Sequence, residues 1–282
     1  MKVLRFCAAL LSAALLLGAA AGCGKKAPVD KERVAVDESK GIHFSEDKRQ
    51  LEAYNPKIEA KEYTAPTGIT AVGERAFEKC SSLTNVALPD GVTAIGERAF
   101  RECPRLATIA LPASVETIGD FAFENCKSLS IAAIPAGVTA IGKGVFKDCK
   151  NLTGVTLPAK VRTIGYQAFY NCESLTSVTL PAGLKTIEDG AFEECENLTA
   201  VTIPERTEKI GADAFKKCKR LTNVTFPPTL TAIGPGAFEG CKNLTRVRIP
   251  RSVKSIGARA FKGCPCEKQV KNDYKDLYNY GD

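Results

Sequence analysis

The 282-residue chain has a single histidine, His43. Standing alone near the N-terminus, it has no partner constellation for histidine-assisted nucleophilic chemistry or a histidine-rich metal site. No nucleophile elbow, phosphate-cradling glycine loop or dinucleotide fingerprint occurs either. These absences argue against an enzyme, and neither a cofactor nor a small-molecule substrate is expected. Clusters of one charge sign are missing too, and only the last repeat approaches one. Lys plus Arg exceed Asp plus Glu by 39 − 32 = +7, yet the signs alternate, as in Glu97-Arg98, Arg101-Glu102 and Lys147-Asp148. A nucleic-acid surface needs clustered basic residues with interleaved aromatics, so no nucleic-acid partner is expected.

Only one long apolar run exists, and it is N-terminal. MKVLRFCAALLSAALLLGAAAGC has a short basic start, an apolar stretch and small residues ending at Cys23. It is too short and wrongly flanked for a permanent membrane span and has the anatomy of an export signal. Ala20, Ala21 and Gly22 before Cys23 resemble the bacterial lipobox, whose Cys carries lipid and becomes the new N-terminus. Ala20 stands where that motif prefers Leu, and cleavage at an Ala-x-Ala sequence is the alternative. The resemblance implies a signal peptide over residues 1–22 and a lipid attachment at Cys23, with more than one acyl chain for stable anchoring in the membrane. Loss of Lys2 and Arg5 with the signal leaves 37 − 32 = +5. Residues 23–41, mostly GKKAPVDKERVAVDESKG, are dense in charge with little to bury and read as a flexible tether.

The rest of the chain is periodic. Cys recurs at 80, 103, 126, 149, 172, 195, 218, 241 and 264, always 23 residues apart. Phe keeps the same interval from Phe77 to Phe261, and Pro from Pro66 to Pro250, with no insertion or deletion. A period of this length signals a solenoid, whose units bury their apolar faces only against their neighbours.

One unit shows the logic. Val86 and Leu88 are two apart and point to one side, as in a short strand. Pro89 cannot donate to a ladder and ends it. Gly91 turns the chain, Val92 and Ile95 give a second short apolar run, and Gly96 turns it again. Ala99, Phe100 and Cys103 then have the three-and-four spacing that places them on one face of a helical turn. Every coil thus sets one bulky plug and one small buried filler at the same corner.

The pattern Leu-x-x-Val-x-Leu-Pro followed by x-Ile-Gly-x-x-Ala-Phe-x-x-Cys resembles the BspA-like leucine-rich repeat of bacterial surface proteins, from about Tyr63 to Cys264. The resemblance implies a β-rich α/β leucine-rich-repeat solenoid of nine 23-residue repeats. A parallel sheet would line the concave face, with short strands and helical turns on the convex face. Four residues depart from the pattern: Ala132 and Thr207 stand at Val positions, Val145 at an Ala position and Glu188 at the turn Gly. Because Asp189-Gly190 follows Glu188, that turn is expected to shift by two residues. Residues 65–264 form the repeat domain. Residues 42–64 keep Tyr54 at the Phe place but Lys57 at the Cys place and read as an N-terminal cap. Residues 265–282 put Glu267 at a Leu place and keep Val270, forming either a C-terminal cap or a frayed tail.

Cysteines in an exported protein normally suggest disulfides. Here coils stack about 4.8 Å apart with parallel side chains, whereas a bridge needs facing Cβ atoms about 3.5–4.5 Å apart. The ladder therefore reads as buried free thiols, and a linear ladder offers no tetrahedral convergence for a metal. Cys266 lies off the ladder and is a candidate for exposure, oxidation or intermolecular pairing. Paired acids such as Glu193-Glu194 read as a solvated outer face. Asn-Leu-Thr at 151, 197 and 243 and Asn223-Val-Thr match a glycosylation acceptor pattern, but in a lipoprotein they read as turn residues.

What remains for function is surface. Residues flanking the inward Val of each strand point outward, from Asn85 and Ala87 to Arg246 and Arg248. This floor is small and Thr-rich, with Thr156, Thr179, Thr202 and Thr225 in one column, and turns basic at its end. Asn223, Thr225, Arg246 and Arg248 are the candidate partner-binding residues, with Arg251 and Lys254 nearby and an acidic partner expected. The family resemblance implies a lipid-anchored envelope protein, in the outer membrane or at the cell surface, that binds proteins or other cell-surface macromolecules in adhesion to host or neighbouring cells. A periplasmic or envelope scaffold without host contact is the alternative.

Overall fold

The computed structural model describes residues 41–277. The expected signal, Cys23, the tether through Lys40 and residues 278–282 lie outside the described residues. The described chain opens with β1 (Ile42–Phe44) and β2 (Gln50–Tyr54), then β3 (Glu62–Thr64) and β4 (Ala71–Val72). Successive coils add a three-residue and a two-residue strand: β5 (Asn85–Ala87) with β6 (Ala94–Ile95), then β7 (Thr108–Ala110) with β8 (Thr117–Ile118). β9 (Ile131–Ala133) is followed by β10 (Ala140–Ile141), and β11 (Gly154–Thr156) by β12 (Thr163–Ile164). The next coil supplies only β13 (Thr186–Ile187), followed by β14 (Ala200–Thr202), β15 (Lys209–Ile210), β16 (Asn223–Thr225) and β17 (Ala232–Ile233). The last coil has β18 (Ser255–Ile256) and a helix, α1 (Glu267–Asp273).

The result is a parallel-stranded solenoid of about nine turns. Register advances by one repeat per coil, as in Asn85 against Thr108 and Ile187 against Ile210. The two-residue strands form two ladders, β4-β6-β8, which β2 and then β1 extend at its edge, and β10-β12-β13-β15-β17-β18. The three-residue strands form shorter pieces, β3-β5-β7, β9-β11 and β14-β16. Between the two strand series, Pro closes a tight turn: Val115 N–H bonds the Pro112 carbonyl at 3.0 Å, and the equivalent Val161 that of Pro158 at 3.1 Å.

At the corner the structure corrects one expectation. Ala99, Phe100 and Cys103 are all buried as the spacing requires, but the segment is a run of tight turns and not a helical turn. Ala76, Glu78 and Cys80 N–H groups bond carbonyls three residues back, at 3.3, 2.9 and 3.2 Å. The intervening N–H groups of Arg75, Phe77 and Lys79 cross to Glu97, Ala99 and Arg101 of the next coil, at 2.9, 2.7 and 2.8 Å. A helical turn directs every N–H along its own axis and leaves none for the neighbouring coil. Left-handed residues turn alternate peptides outward, with Arg75 at φ 55° and Lys79 at φ 63°; Gly144, Gly190 and Gly236 take the first of these places in later coils. The corner is therefore a third hydrogen-bonded ladder.

Nine Phe rings fill it. From Phe77 to Phe261 each is stacked on the next, as between Phe77 and Phe100 (4.9 Å, 6°) and between Phe169 and Phe192 (5.1 Å, 5°). Tyr54 starts the column, 5.2 Å from Phe77. Beside it the thiols do more than fill space. Cys103 Sγ lies 3.0 Å from the Phe77 carbonyl one coil back, and Cys172 Sγ 3.1 Å from that of Phe146. The same contact joins Cys195 to Phe169 at 3.1 Å and Cys264 to Phe238 at 2.9 Å. The Phe77 carbonyl also accepts Cys80 N–H at 3.2 Å, so the thiol gives a buried carbonyl its second donor. All ten described cysteines are free and buried. Burial pushes the Cys126 thiol up to about 12 and those of Cys149, Cys172 and Cys218 well above the ordinary thiol value.

Two departures from the repeat are absorbed without a register change. Thr207 is fully buried, and its hydroxyl donates to the Leu184 carbonyl at 3.1 Å, which satisfies the polar atom. The turn at Glu188 does not shift. Glu188 N–H bonds Ile164 at 2.9 Å just as Gly211 N–H bonds Ile187 at 2.9 Å, and Gly190 occupies the ordinary left-handed place. A Cβ at the equivalent Gly211 would lie 2.6 Å from the backbone N of Asp189. Glu188 fits the same slot with its carboxylate accepting Tyr166 N–H of the previous coil at 2.9 Å.

Both ends of the described stack are occupied. β1 lies antiparallel on β2 at one edge. At the other, α1 takes the place of the next coil: Val270 is buried and Leu277 packs against the core. Tyr274 Oη donates to the Ile249 carbonyl at 3.2 Å, and Ile256 N–H bonds Leu277 at 2.8 Å. Through Leu277 the tail thus seals the last coil. Glu267 accepts Gly263 N–H at 2.9 Å instead of filling a Leu pocket. Cys266, a candidate for exposure, is instead fully buried at the start of α1. Its thiol is pushed far up, first by a hydrogen bond with Cys264 and then by burial, so it is neither accessible nor ionised near neutral pH.

Candidate functional site

The outward residues of the three-residue strands alternate with buried ones as predicted, giving exposed, buried, exposed across β9, β14 and β16. Toward the N-terminal end one column of this face is small and apolar, Ala87, Ala110 and Ala133, and in the column beside it Asn85 and Thr108 are followed by Ile131, 60% exposed. Thr156, Thr179, Thr202 and Thr225 continue that column, all exposed. Arg246 and Arg248 end the face, with buried Val247 between them.

The structure brings the four candidate residues together. Asn223, Thr225, Arg246 and Arg248 line one surface depression of about 570 Å³, with Thr245 and Phe226 beside them. Arg251 and Lys254 are exposed but do not line it. The depression exists because the sheet opens there. Residues 246–248 form no strand, and no backbone hydrogen bond joins Thr245–Arg248 to β16 among the described residues. Phe226 holds the place of Leu88, Leu111 and Leu157 in earlier coils, and its larger ring packs edge-on against Phe238 at 5.7 Å. A similar opening beside 177–179 leaves a depression of about 420 Å³ against β14.

The charges on this face differ from those at the corner. At the corner, acid and base pair between neighbouring coils. Arg101 reaches Glu78 at 3.0 Å and Glu124 at 2.7 Å, one coil to either side. Lys150–Glu173, Lys219–Glu196 and Arg259–Glu239 pair at 2.6, 2.5 and 2.6 Å. Glu193 and Glu194, read from sequence as merely solvated, belong to this set. Burial raises the Glu193 carboxyl above its ordinary value, while the hydrogen bond from Lys217 lowers that of Glu194. Arg246 and Arg248 have no such partner among the described residues.

One surface was missed by sequence reasoning. Along β13, β15, β17 and β18 a groove of about 680 Å³ carries Tyr166, 44% exposed, beside Glu188 and Lys209. Its sequence signal was Glu188, the one interruption of the glycine column. His43 is exposed on β1. Among the described residues no group of three His, Cys, Asp or Glu is placed to hold a metal ion, and no helix is long and apolar enough to cross a membrane. Asn197, in one of the glycosylation-like triplets, donates to the Glu173 carbonyl at 2.8 Å, a turn role.

A family model described as the BspA type leucine rich repeat region matches in six copies, over residues 50–173 and 139–268. Among solved structures, the T. pallidum leucine-rich repeat protein TpLRR is 35% identical, covering 64% of this chain and 86% of its own, with a TM-score of 0.58. A leucine-rich repeat protein from Bacteroides ovatus is 23% identical over 84% of this chain and 89% of its own, with a TM-score of 0.53, a likeness of fold alone. No curated protein matches the chain.

Proposed function

Because the chain belongs to the BspA-type leucine-rich repeat family, we propose that it is a non-catalytic envelope lipoprotein whose solenoid binds proteins or other macromolecules in adhesion. Leucine-rich repeat solenoids serve as extended binding surfaces, since stacked repeats present one face continuously. Fold alone names no ligand, so the reading rests on one observation in particular. The outward strand residues end in two exposed arginines that have no ion-pair partner among the described residues, while the corner charges neutralise one another coil to coil. The small-residue stretch before Cys23 supports anchoring by lipid at that residue, with the signal removed and the tether holding the solenoid off the membrane.

Three measurements test this. Mass spectrometry of the N-terminal peptide is expected to find acyl chains on Cys23, and Cys23→Ser is expected to release the protein from the membrane fraction. External protease or antibody is expected to reach the solenoid on unbroken cells. Protection until the envelope is opened would contradict adhesion and favour an inward-facing scaffold.

A further inference from the structure

We propose that the depression between β16 and Thr245–Arg248 takes an extended peptide strand whose acidic side chains lie two residues apart, each carboxylate paired to one of Arg246 and Arg248. The inference deepens the binding role proposed above and rests on it. Arg246 and Arg248 are exposed with Val247 buried between them, so both guanidinium groups stand on one face. In extended chain two residues span about 6.6–6.8 Å. An extended peptide presents its own residues i and i+2 on one face at that same spacing, whereas a helix aligns residues three and four apart. A guanidinium takes a carboxylate through two parallel N–H bonds, which fixes geometry as well as charge.

The rest of the depression suits a peptide backbone. Among the described residues no carboxylate lines it, and Asn223, Thr225 and Thr245 supply neutral donors and acceptors. On β16 the Thr225 carbonyl accepts Ile203 N–H at 2.9 Å, so Thr225 faces β14. By strand alternation Val224 directs its N–H and C=O the other way, into the gap. Main-chain pairing with a free strand edge gives affinity, and side-chain pockets at alternate positions give selectivity. At the far side of Thr245–Arg248 the space is already filled, because α1 occupies it: Cys266 N–H bonds Leu244 at 3.1 Å, and Tyr274 Oη bonds Ile249. The open edge is the one facing β16.

Fluorescence anisotropy with the full chain in detergent tests the proposal with three probes. The first is a nine-residue labelled peptide alternating Glu with Thr. The second has the same composition with its Glu residues consecutive, and the third is a heparin fragment. The alternating peptide is expected to bind at least about 10-fold tighter than the rearranged one. Arg246→Ala with Arg248→Ala is expected to weaken it about 10-fold or more, and Arg246→Lys with Arg248→Lys by less, since lysine keeps the charge but loses the fork. Arg251→Ala with Lys254→Ala is expected to change it less than about 3-fold. Equal binding of the two peptides overturns the proposal. So does equal loss with the Arg251 and Lys254 changes, or binding of heparin without the alternating peptide. If the protein captures cell-surface proteins but not the alternating peptide, the adhesive reading stands and this inference falls; if the peptide binds and nothing on cell surfaces is captured, the reverse holds.

Discussion

The corner of each coil and its three-residue strand are built from the same repeat, yet they differ in how far they satisfy themselves. At the corner, rings stack on rings, thiols bond carbonyls one coil back, and acids meet bases one coil over. On the strand face one outward column changes from alanine to threonine to arginine, and the terminal arginines find no partner among the described residues. A feature repeated without change in every copy has a job that neighbouring copies finish for one another. A feature that varies along the stack is free to meet something else. Stability and binding should therefore separate by position within a single coil.

The largest expected effect is at the corner. Phe169→Ala removes a fully buried ring between two stacked neighbours, 5.4 Å from Phe146 and 5.1 Å from Phe192. Large-to-small core changes of this kind cost about 3–5 kcal/mol. Chemical denaturation is expected to show that loss, and a change under 1 kcal/mol would mean that the column is not a packed core. Next comes the thiol. Cys172→Ala leaves the Phe146 carbonyl without its second donor and opens a small cavity, for a loss of about 1–3 kcal/mol. Cys172→Ser keeps a donor in nearly the same place. If Ser recovers nothing relative to Ala, the thiol is filler only.

Two adjacent acids then give opposite signs. The Glu194 carboxyl is lowered by its hydrogen bond from Lys217, so its contribution is present above its unfolded value and lost as pH falls through the folded one. The Glu193 carboxyl is raised by burial, so its charged form opposes folding above its folded value, and that penalty disappears in acid. At pH 7 Glu194→Gln is expected to destabilise by no more than about 1 kcal/mol, because the Lys217 side of the pair is open to solvent, which screens it. Glu193→Gln is expected to be neutral or slightly stabilising. Denaturation midpoints at pH 7 and pH 4 check both signs. The smallest effect belongs to the strand face: Arg246→Ala with Arg248→Ala should leave stability within about 0.5 kcal/mol. A larger loss would make those arginines structural and erase the contrast with the corner.

The fold was legible because each position in a solenoid meets its own copy one coil away. Phe and Cys at constant spacing already implied a column and a ladder, and Val86 with Pro89 implied a strand and its end. The corner's conformation was not legible, since burial of Ala99, Phe100 and Cys103 is satisfied by a helical turn or by successive tight turns. The signal was compositional: Gly144, Gly190 and Gly236 share a column with Arg75 and Arg98, which also have positive φ. Cys266 was misplaced because counting along the repeat does not see α1 fold back over the last coil. For the site, columns grouped Asn223 and Thr225 with Arg246 and Arg248. The opening between them depends on how far two backbones stand apart, which the side-chain columns do not record.

Thiol accessibility in the folded chain tests the stacked-coil core most directly. With N-ethylmaleimide near pH 8.5, where an ordinary exposed thiol is about half ionised, followed by peptide mass spectrometry, Cys80 through Cys266 are expected to stay unmodified until denaturant is added and then to react together. Rapid labelling of most of these thiols in the native protein would contradict a core in which each coil seals the next.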